Sequence, residues 1–198
     1  MSREQSTQQT REHILKVARE QFYRRGYSGV SINEIVEELD VTKPTVYYHF
    51  GSKAGLFAAL EQDAYDRCYE HRRKSVERTV SAVEQVYQVV AADFAFCLKE
   101  TDLARFVIAL TFALPEERPG DFRSYLTRDY EFLRSIIERG MERGEFKCKD
   151  AGEAAIALQG LIAVNIMSFL QMEQSREFLS PERARVLADV LLDGIRRD

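Results

Sequence analysis

Residues 31–53, Ser31-Ile32-Asn33-Glu34-Ile35-Val36-Glu37-Glu38-Leu39-Asp40-Val41-Thr42-Lys43-Pro44-Thr45-Val46-Tyr47-Tyr48-His49-Phe50-Gly51-Ser52-Lys53, decide the fold. Ser31 followed three residues later by Glu34 is a capping box, in which the hydroxyl takes the N3 amide and the carboxylate reaches back to the N-cap amide. A short helix therefore starts at Ser31. Ile32, Ile35, Val36 and Leu39 repeat at the 3, 4, 7 spacing of one buried stripe, and the pattern breaks at Asp40, a residue that tolerates the left-handed backbone of a sharp turn. Thr42 is placed to cap a second helix, and Pro44 falls in its first turn, where a missing amide costs nothing. That second helix spans about 42–49. Val46 and Phe50 close it onto the first helix, which leaves Lys43, Thr45, Tyr47, Tyr48 and His49 outward.

Two short helices joined by a tight turn describe a helix-turn-helix, and equally a structural αα-hairpin with a solvated face. The outward residues separate the two readings. A major groove admits one helix, whose N-terminal residues reach base edges while flanking groups hold phosphates. Thr45 offers a hydroxyl and a methyl, Lys43 a cation, and Tyr47 and His49 phosphate donors. Ser52-Lys53 opens a further helix whose first amides suit the same task.

The run Val41-Thr42-Lys43-Pro44-Thr45-Val46-Tyr47-Tyr48-His49-Phe50-Gly51-Ser52-Lys53-Ala54-Gly55-Leu56 resembles the signature of the TetR family of bacterial transcriptional regulators. Ile14, Leu15, Ala18, Phe22, Gly26-Tyr27, Val30-Ser31-Ile32 and Ile35 fall where that family places its first two helices. The resemblance covers residues 8–55. It implies Asn33, Thr42, Lys43, Pro44 and Thr45 as the group facing the bases of double-stranded DNA, with Tyr47, Tyr48, His49 and Lys53 on its phosphates. Asp40 departs from the small residue, most often Gly, that the family has there; a carboxylate so close to DNA weakens non-specific binding.

The formal net charge of −4 looks wrong for a nucleic-acid binder, but it is unevenly spread. Residues 1–53 hold eight Lys/Arg against seven Asp/Glu, whereas 54–198 hold twenty against twenty-five, so the acidity lies outside the head. The hydrophobic fraction of 45% and charged fraction of 30% are those of an ordinary globular chain, long enough to bury a core without staples. Cys68, Cys97 and Cys148 are odd in number and far apart, which reads as reduced thiols in a cytoplasmic protein. There is no run of about twenty uncharged apolar residues and no signal-peptide core, so no membrane span is expected.

Along the chain, residues 1–8 read as a disordered arm. A brace helix with the stripe Ile14, Leu15, Ala18 and Phe22 spans about 9–25 and stops at Gly26. A long helix over 52–74 ends in His71-Arg72-Arg73-Lys74, a basic run expected to be a solvated helix end. Further helices are predicted at 80–99, 102–114, 121–143 and 151–172, and a last one from Pro181. The whole reads as all-α, with about nine helices. A three-helix head occupies 1–53 and a helical effector-binding and dimerisation domain 54–198.

Residues 151–172 are apolar on almost every face and must be buried on more than one side. With the stripe of the last helix they leave two seams, closed by the chain itself or by a second copy about a two-fold axis. The resemblance implies the second copy, making a homodimer through Leu158, Leu161, Ile162, Ile166, Phe169, Leu187, Val190 and Leu191. It also implies a small-molecule effector cavity in the body. Tyr65, Tyr69, Phe94, Phe106, Phe112, Tyr125 and Tyr130 would suit an apolar or aromatic ligand and Asn165 would add a polar contact, although such stripes are core in most proteins. Gln159, Arg105 and Asp93 are polar residues within the same apolar segments.

No catalytic set, cofactor motif or metal-ligand spacing is legible. Gly51-Ser52-Lys53-Ala54-Gly55 is similar to a phosphate loop but lacks its Gly-Lys-Ser/Thr ending. The expectation is a ligand-responsive DNA-binding repressor and not an enzyme. The alternative is a protein-binding adaptor whose head does not bind DNA.

Overall fold

The computed structural model describes residues 3–39, 41–112, 123–172 and 175–195, with the side chains of Arg3, Glu4 and Phe112 excepted. Among these residues there are nine α-helices and one turn of 3-10 helix. The helices are α1 (Arg3–Arg25), α2 (Ile32–Glu37), α3 (Lys43–Phe50), α4 (Lys53–Val76), α5 (Ala82–Lys99), α6 (Thr101–Phe112), α7 (Arg123–Glu142), α8 (Ala151–Gln171) and α9 (Pro181–Ile195); the 3-10 turn is Arg176–Leu179. The all-α expectation holds. The turn at Asp40 and the segment from Pro115 to Phe122 lie outside the described residues.

The chain forms two compact units, Met1–Tyr65 with Arg105–Asp121 and Asp66–Ala104 with Phe122–Asp198. The division falls inside α4, whereas the sequence reading placed it at residue 53.

In the first unit, α1 buries Ile14, Leu15, Ala18 and Phe22 and ends where Gly26, at φ 69°, donates its amide to the Phe22 carbonyl at 2.9 Å. A positive φ there strains any residue with a Cβ, which is why glycine stops this helix. The helix begins earlier than expected, at Arg3 in place of a disordered arm. No Gly or Pro interrupts residues 3–25, and the exposed first turns are held by their own contacts: the Thr10 hydroxyl donates to the Ser6 carbonyl, and the Gln8 amide to Glu12. Phe22, Tyr27 and Phe57 pack ring to ring at 5.1–6.0 Å, and Phe57 meets Phe106 edge-on.

The second unit is built on α5, which is buried almost all round because α7, α8 and α9 each pack on it. Ser81 and Asp150 cap α5 and α8 through side-chain bonds to the amides of Glu84 and Glu153. Gly140 lets α7 approach, since a Cβ there would collide with the Phe146 ring and with Ala82. Cys68, Cys97 and Cys148 form no disulfide, and burial pushes the Cys68 and Cys148 thiols up.

By length and composition α8 could cross a membrane, with mean hydropathy 1.6 over its most apolar window. Its packing on α5, α7 and α9 accounts for part of that apolarity, since 33% of that window is buried. The row Ala151, Ala154, Ala155, Leu158, Ile162, Ile166 and Leu170 is buried within its own chain. Leu158, Ile162 and Ile166 are therefore corrected: at 0%, 4% and 8% exposure they are core of the protomer, not a surface for a partner.

Candidate nucleic-acid interface

The local sequence builds the head as expected at its first corner. The Ser31 amide donates to Glu34 Oε2 at 2.7 Å and the Glu34 amide to Ser31 Oγ at 3.3 Å, closing the capping box. Arg25 adds a tie the sequence reading missed. Its Nη2 donates to the Glu34 carboxylate and to the Gly29 carbonyl, fastening the end of α1 to the start of α2. The Arg25 hydrogen bond, followed by those from Ser31, lowers the Glu34 pKa to about 2. The available signal was a cation and an acid flanking the Gly26–Gly29 connector.

Val46 is fully buried and Leu39 nearly so, which seats α3 on α2. Gly51, at φ 73°, ends α3 and donates to the Tyr47 carbonyl at 2.8 Å; Ser52 Oγ then accepts the Gly55 amide at 3.0 Å to start α4. Phe50 is only half buried, with the Arg11 guanidinium 5.4 Å above its ring.

One face of this frame gathers the predicted DNA contacts. Asn33, Thr42, Lys43 and Pro44 are exposed, Thr45 is half exposed, and Tyr47 and Tyr48 are 47% and 80% exposed. His49 is half buried between its neighbours, its ring 5.3 Å from Tyr48 and 5.9 Å from Phe50. Lys53 lies with Nζ 4.3 Å over the Tyr27 ring, a cation–π contact that keeps the ammonium at the α4 N-terminus.

Thr42 departs from its expected role. It holds the N-cap position by backbone, but its hydroxyl makes no cap bond and instead pairs with the Thr45 hydroxyl at 3.0 Å. The two side chains present one joined hydroxyl pair with two methyls.

The effector candidates fall in both units. In the first unit, Tyr65 is buried with its hydroxyl 3.4 Å from that of Thr111, and Phe106 is buried against Phe57. In the second, Phe94 is buried, and Tyr69 and Tyr125 are half buried about Arg128. Half-buried Tyr130 lies against Gly152 at the start of α8. Asn165 is structural: its Nδ2 donates to the Leu161 carbonyl at 2.7 Å and its Oδ1 accepts from Arg183 at 3.3 Å. The Phe112 side chain lies outside the described residues.

The basic run at the end of α4 also needs correction. Arg72 is buried and paired with Asp93, Arg73 pairs with Glu70 and Glu77, and His71 packs on Phe96. A cation turned inward because the Asp93 carboxylate is buried on α5 and a buried charge needs a partner.

Of the dimer candidates, Leu161, Phe169, Leu187 and Leu191 are half buried and Val190 is 69% exposed. Val190 belongs to one of two open apolar rows, Ile156, Gly160 and Val164 on α8 and Val186, Val190 and Gly194 on α9, each spaced by four. Among the described residues, no three His, Cys, Asp or Glu side chains assemble into a metal site.

Comparison with known proteins places this geometry. Residues 14–60 match the pattern of the bacterial regulatory proteins of the tetR family, and residues 82–191 match the tetracyclin repressor-like C-terminal domain. The chain is 26% identical over 176 residues to the probable HTH-type transcriptional regulator YttP of Bacillus subtilis, spanning 86% of this chain and 82% of that protein. It is 32% identical over 160 residues to the HTH-type transcriptional activator FasR of Mycolicibacterium smegmatis, spanning 80% and 69%. A solved structure of a regulatory protein from Rhodococcus RHA1 superposes with a TM-score of 0.76 at 21% identity, over 96% of this chain and 98% of that one.

Proposed function

Because this chain belongs to the TetR family of bacterial transcriptional regulators, we propose that it is a homodimeric repressor acting in the cytoplasm, released from a pseudo-palindromic operator by a small apolar or aromatic effector. The observation that carries the DNA half is the exposed face of α3, where the Thr42–Thr45 hydroxyl pair and Lys43 stand ahead of Tyr47, Tyr48, His49 and Lys53. Bases meet the first group and phosphates the second.

Two heads about one helical turn apart, some 34–36 Å, read the half-sites. The rows Ile156, Gly160, Val164 and Val186, Val190, Gly194 are the surface a second copy covers, by an isologous contact of four helices. The continuous helix α4 carries Lys53 at one end and Tyr69 and Arg72 towards the other. An effector that moves α4 changes the separation of the heads, so ligand and DNA oppose each other by about 1–3 kcal/mol, reciprocally.

Salt titration of duplex affinity tests the reader against the adaptor. About two to four cationic phosphate contacts per protomer give a slope of log K against log salt of about −4 to −7 for the dimer. A slope near zero speaks for the adaptor. The sign of regulation is read with a promoter–operator reporter: expression falls as the protein is supplied, and a rise would make it an activator, as FasR is named.

A further inference from the structure

The second unit holds a buried charge cluster for which DNA reading has no use. Arg72 Nε donates to both oxygens of Asp93 at 3.1 Å, and its Nη2 donates to Oδ2 at 2.7 Å. Its Nη1 lies 3.6 Å from Asp129 Oδ2, too far for a good hydrogen bond. These three side chains are only 8–10% exposed. Beside them Arg128 donates from Nη1 to Asp66 at 2.6 Å, with its guanidinium 4.2 Å over the Tyr69 ring and 5.7 Å from that of Tyr125. Phe132 meets Tyr69 edge-on at 5.7 Å.

Four buried polar atoms of this cluster have no hydrogen-bond partner among the described residues: Arg72 Nη1, Arg128 Nε, Arg128 Nη2 and Asp129 Oδ1. Folded proteins pair nearly all such atoms, because each one left unpaired forfeits its hydration with nothing in return. The mismatch has a direction. Three of the four are guanidinium nitrogens, which can only donate, and one is an acceptor. Burial raises the Asp129 pKa, which favours its neutral carboxyl. Arg72 pairs with Asp93 and Arg128 with Asp66, and what remains is a set of N–H donors, the Asp129 carboxyl and three aromatic rings. Such a set lacks an acceptor with several lone pairs, and a carboxylate has two oxygens matched to guanidinium forks. A cationic group would find one acceptor atom and the repulsion of two guanidinium groups.

We propose that Arg72, Arg128 and Asp129 are the recognition site for the carboxylate of a small apolar or aromatic acid, whose ring or chain packs on Tyr69, Tyr125 and Phe132. This rests on the ligand-responsive reading above and gives the effector its head group. Arg128 and Arg72 donate to the carboxylate, and Asp129 takes up a proton as the acid binds and donates its O–H to the same group.

Calorimetric titration of the full-length protein tests the site, with benzoate, phenylacetate and octanoate as probes and with benzamide and benzylamine as controls that change the head group. At least one acid binds and raises the unfolding midpoint, while the amide and the amine bind at least ten-fold more weakly. Arg128→Gln lowers the affinity for that acid at least ten-fold, and Arg128→Lys, which keeps the charge but loses the fork, lies between it and the wild type. Asp129→Asn keeps the affinity within about three-fold, because its amide still donates. Equal binding of acid and amide, preference for the amine, an affinity unchanged in Arg128→Gln, or no binding of any probe would each overturn the acid site. Duplex binding is measured on the same preparations. If it persists when the acids fail, the head group is wrong and the DNA-reading function stands.

Discussion

Replacing Arg72 by Leu isolates the cost of charge inside the second unit. The substitution removes three hydrogen bonds to Asp93, of 2.7–3.1 Å, and the 3.6 Å approach to Asp129, and leaves two carboxyl groups in a site 8–9% exposed. Breaking a buried pair by deleting one partner costs about 3–5 kcal/mol, because the orphaned charge cannot recover its hydration. The loss depends on pH. Burial already raises the Asp129 pKa above its ordinary 3.8, with Arg72 pulling it back, so deleting Arg72 lets it rise further. An acid whose folded pKa is raised binds more protons in the folded state than in the unfolded one. Stability therefore falls as pH climbs from the unfolded pKa to the folded one, by about 1.4 kcal/mol per pH unit for each proton involved. Urea unfolding followed by circular dichroism at fixed protomer concentration should show the full loss at pH 8 and a smaller one at pH 5. A loss under about 1 kcal/mol at pH 8, or the same loss at both pH values, would refute the argument.

In a binding-selection comparison, Tyr47→Phe should weaken every duplex alike, by about 0.5–1.5 kcal/mol for one lost hydrogen bond, whereas Thr45→Ala should change the preferred base; an unchanged motif would remove Thr45 from the base-reading group. Gly51→Ala places a Cβ at φ 73° in open space, so the whole cost is conformational: thermal unfolding should show about 1–2 kcal/mol lost, and a neutral result would mean that the α3–α4 corner relaxes. Val164→Glu combined with Val190→Glu should turn dimer into monomer in sedimentation without altering the helical spectrum, since both side chains are exposed in the protomer; a variant that stays dimeric moves the interface elsewhere.

What the sequence disclosed and what it hid divide by range. Ser31 and Glu34, and Gly26, act on neighbours within four residues, so their cap and stop were legible from spacing alone. The outward set of α3 followed from the burial of Val46 between polar neighbours. The start of α1 was misplaced because residues 5–9 are all exposed and leave no stripe to count. On α8 the 3.6-residue period announced burial without orienting it, and Leu158, Ile162 and Ile166 turned out to face the chain's own core while Ile156 and Val164 remain open. The Arg72–Asp93 pair spans twenty-one residues and was hidden by a run of cations that resembles an ordinary helix end. Only the placement of α5 beside it makes the inward turn of Arg72 necessary.

Selection of bound duplexes from a random library by the purified protein, read by sequencing, tests the central claim most directly. The dimeric reader predicts a two-fold symmetric motif with half-sites about 34–36 Å apart centre to centre. Failure to enrich any motif, with and without added carboxylic acids, would contradict it.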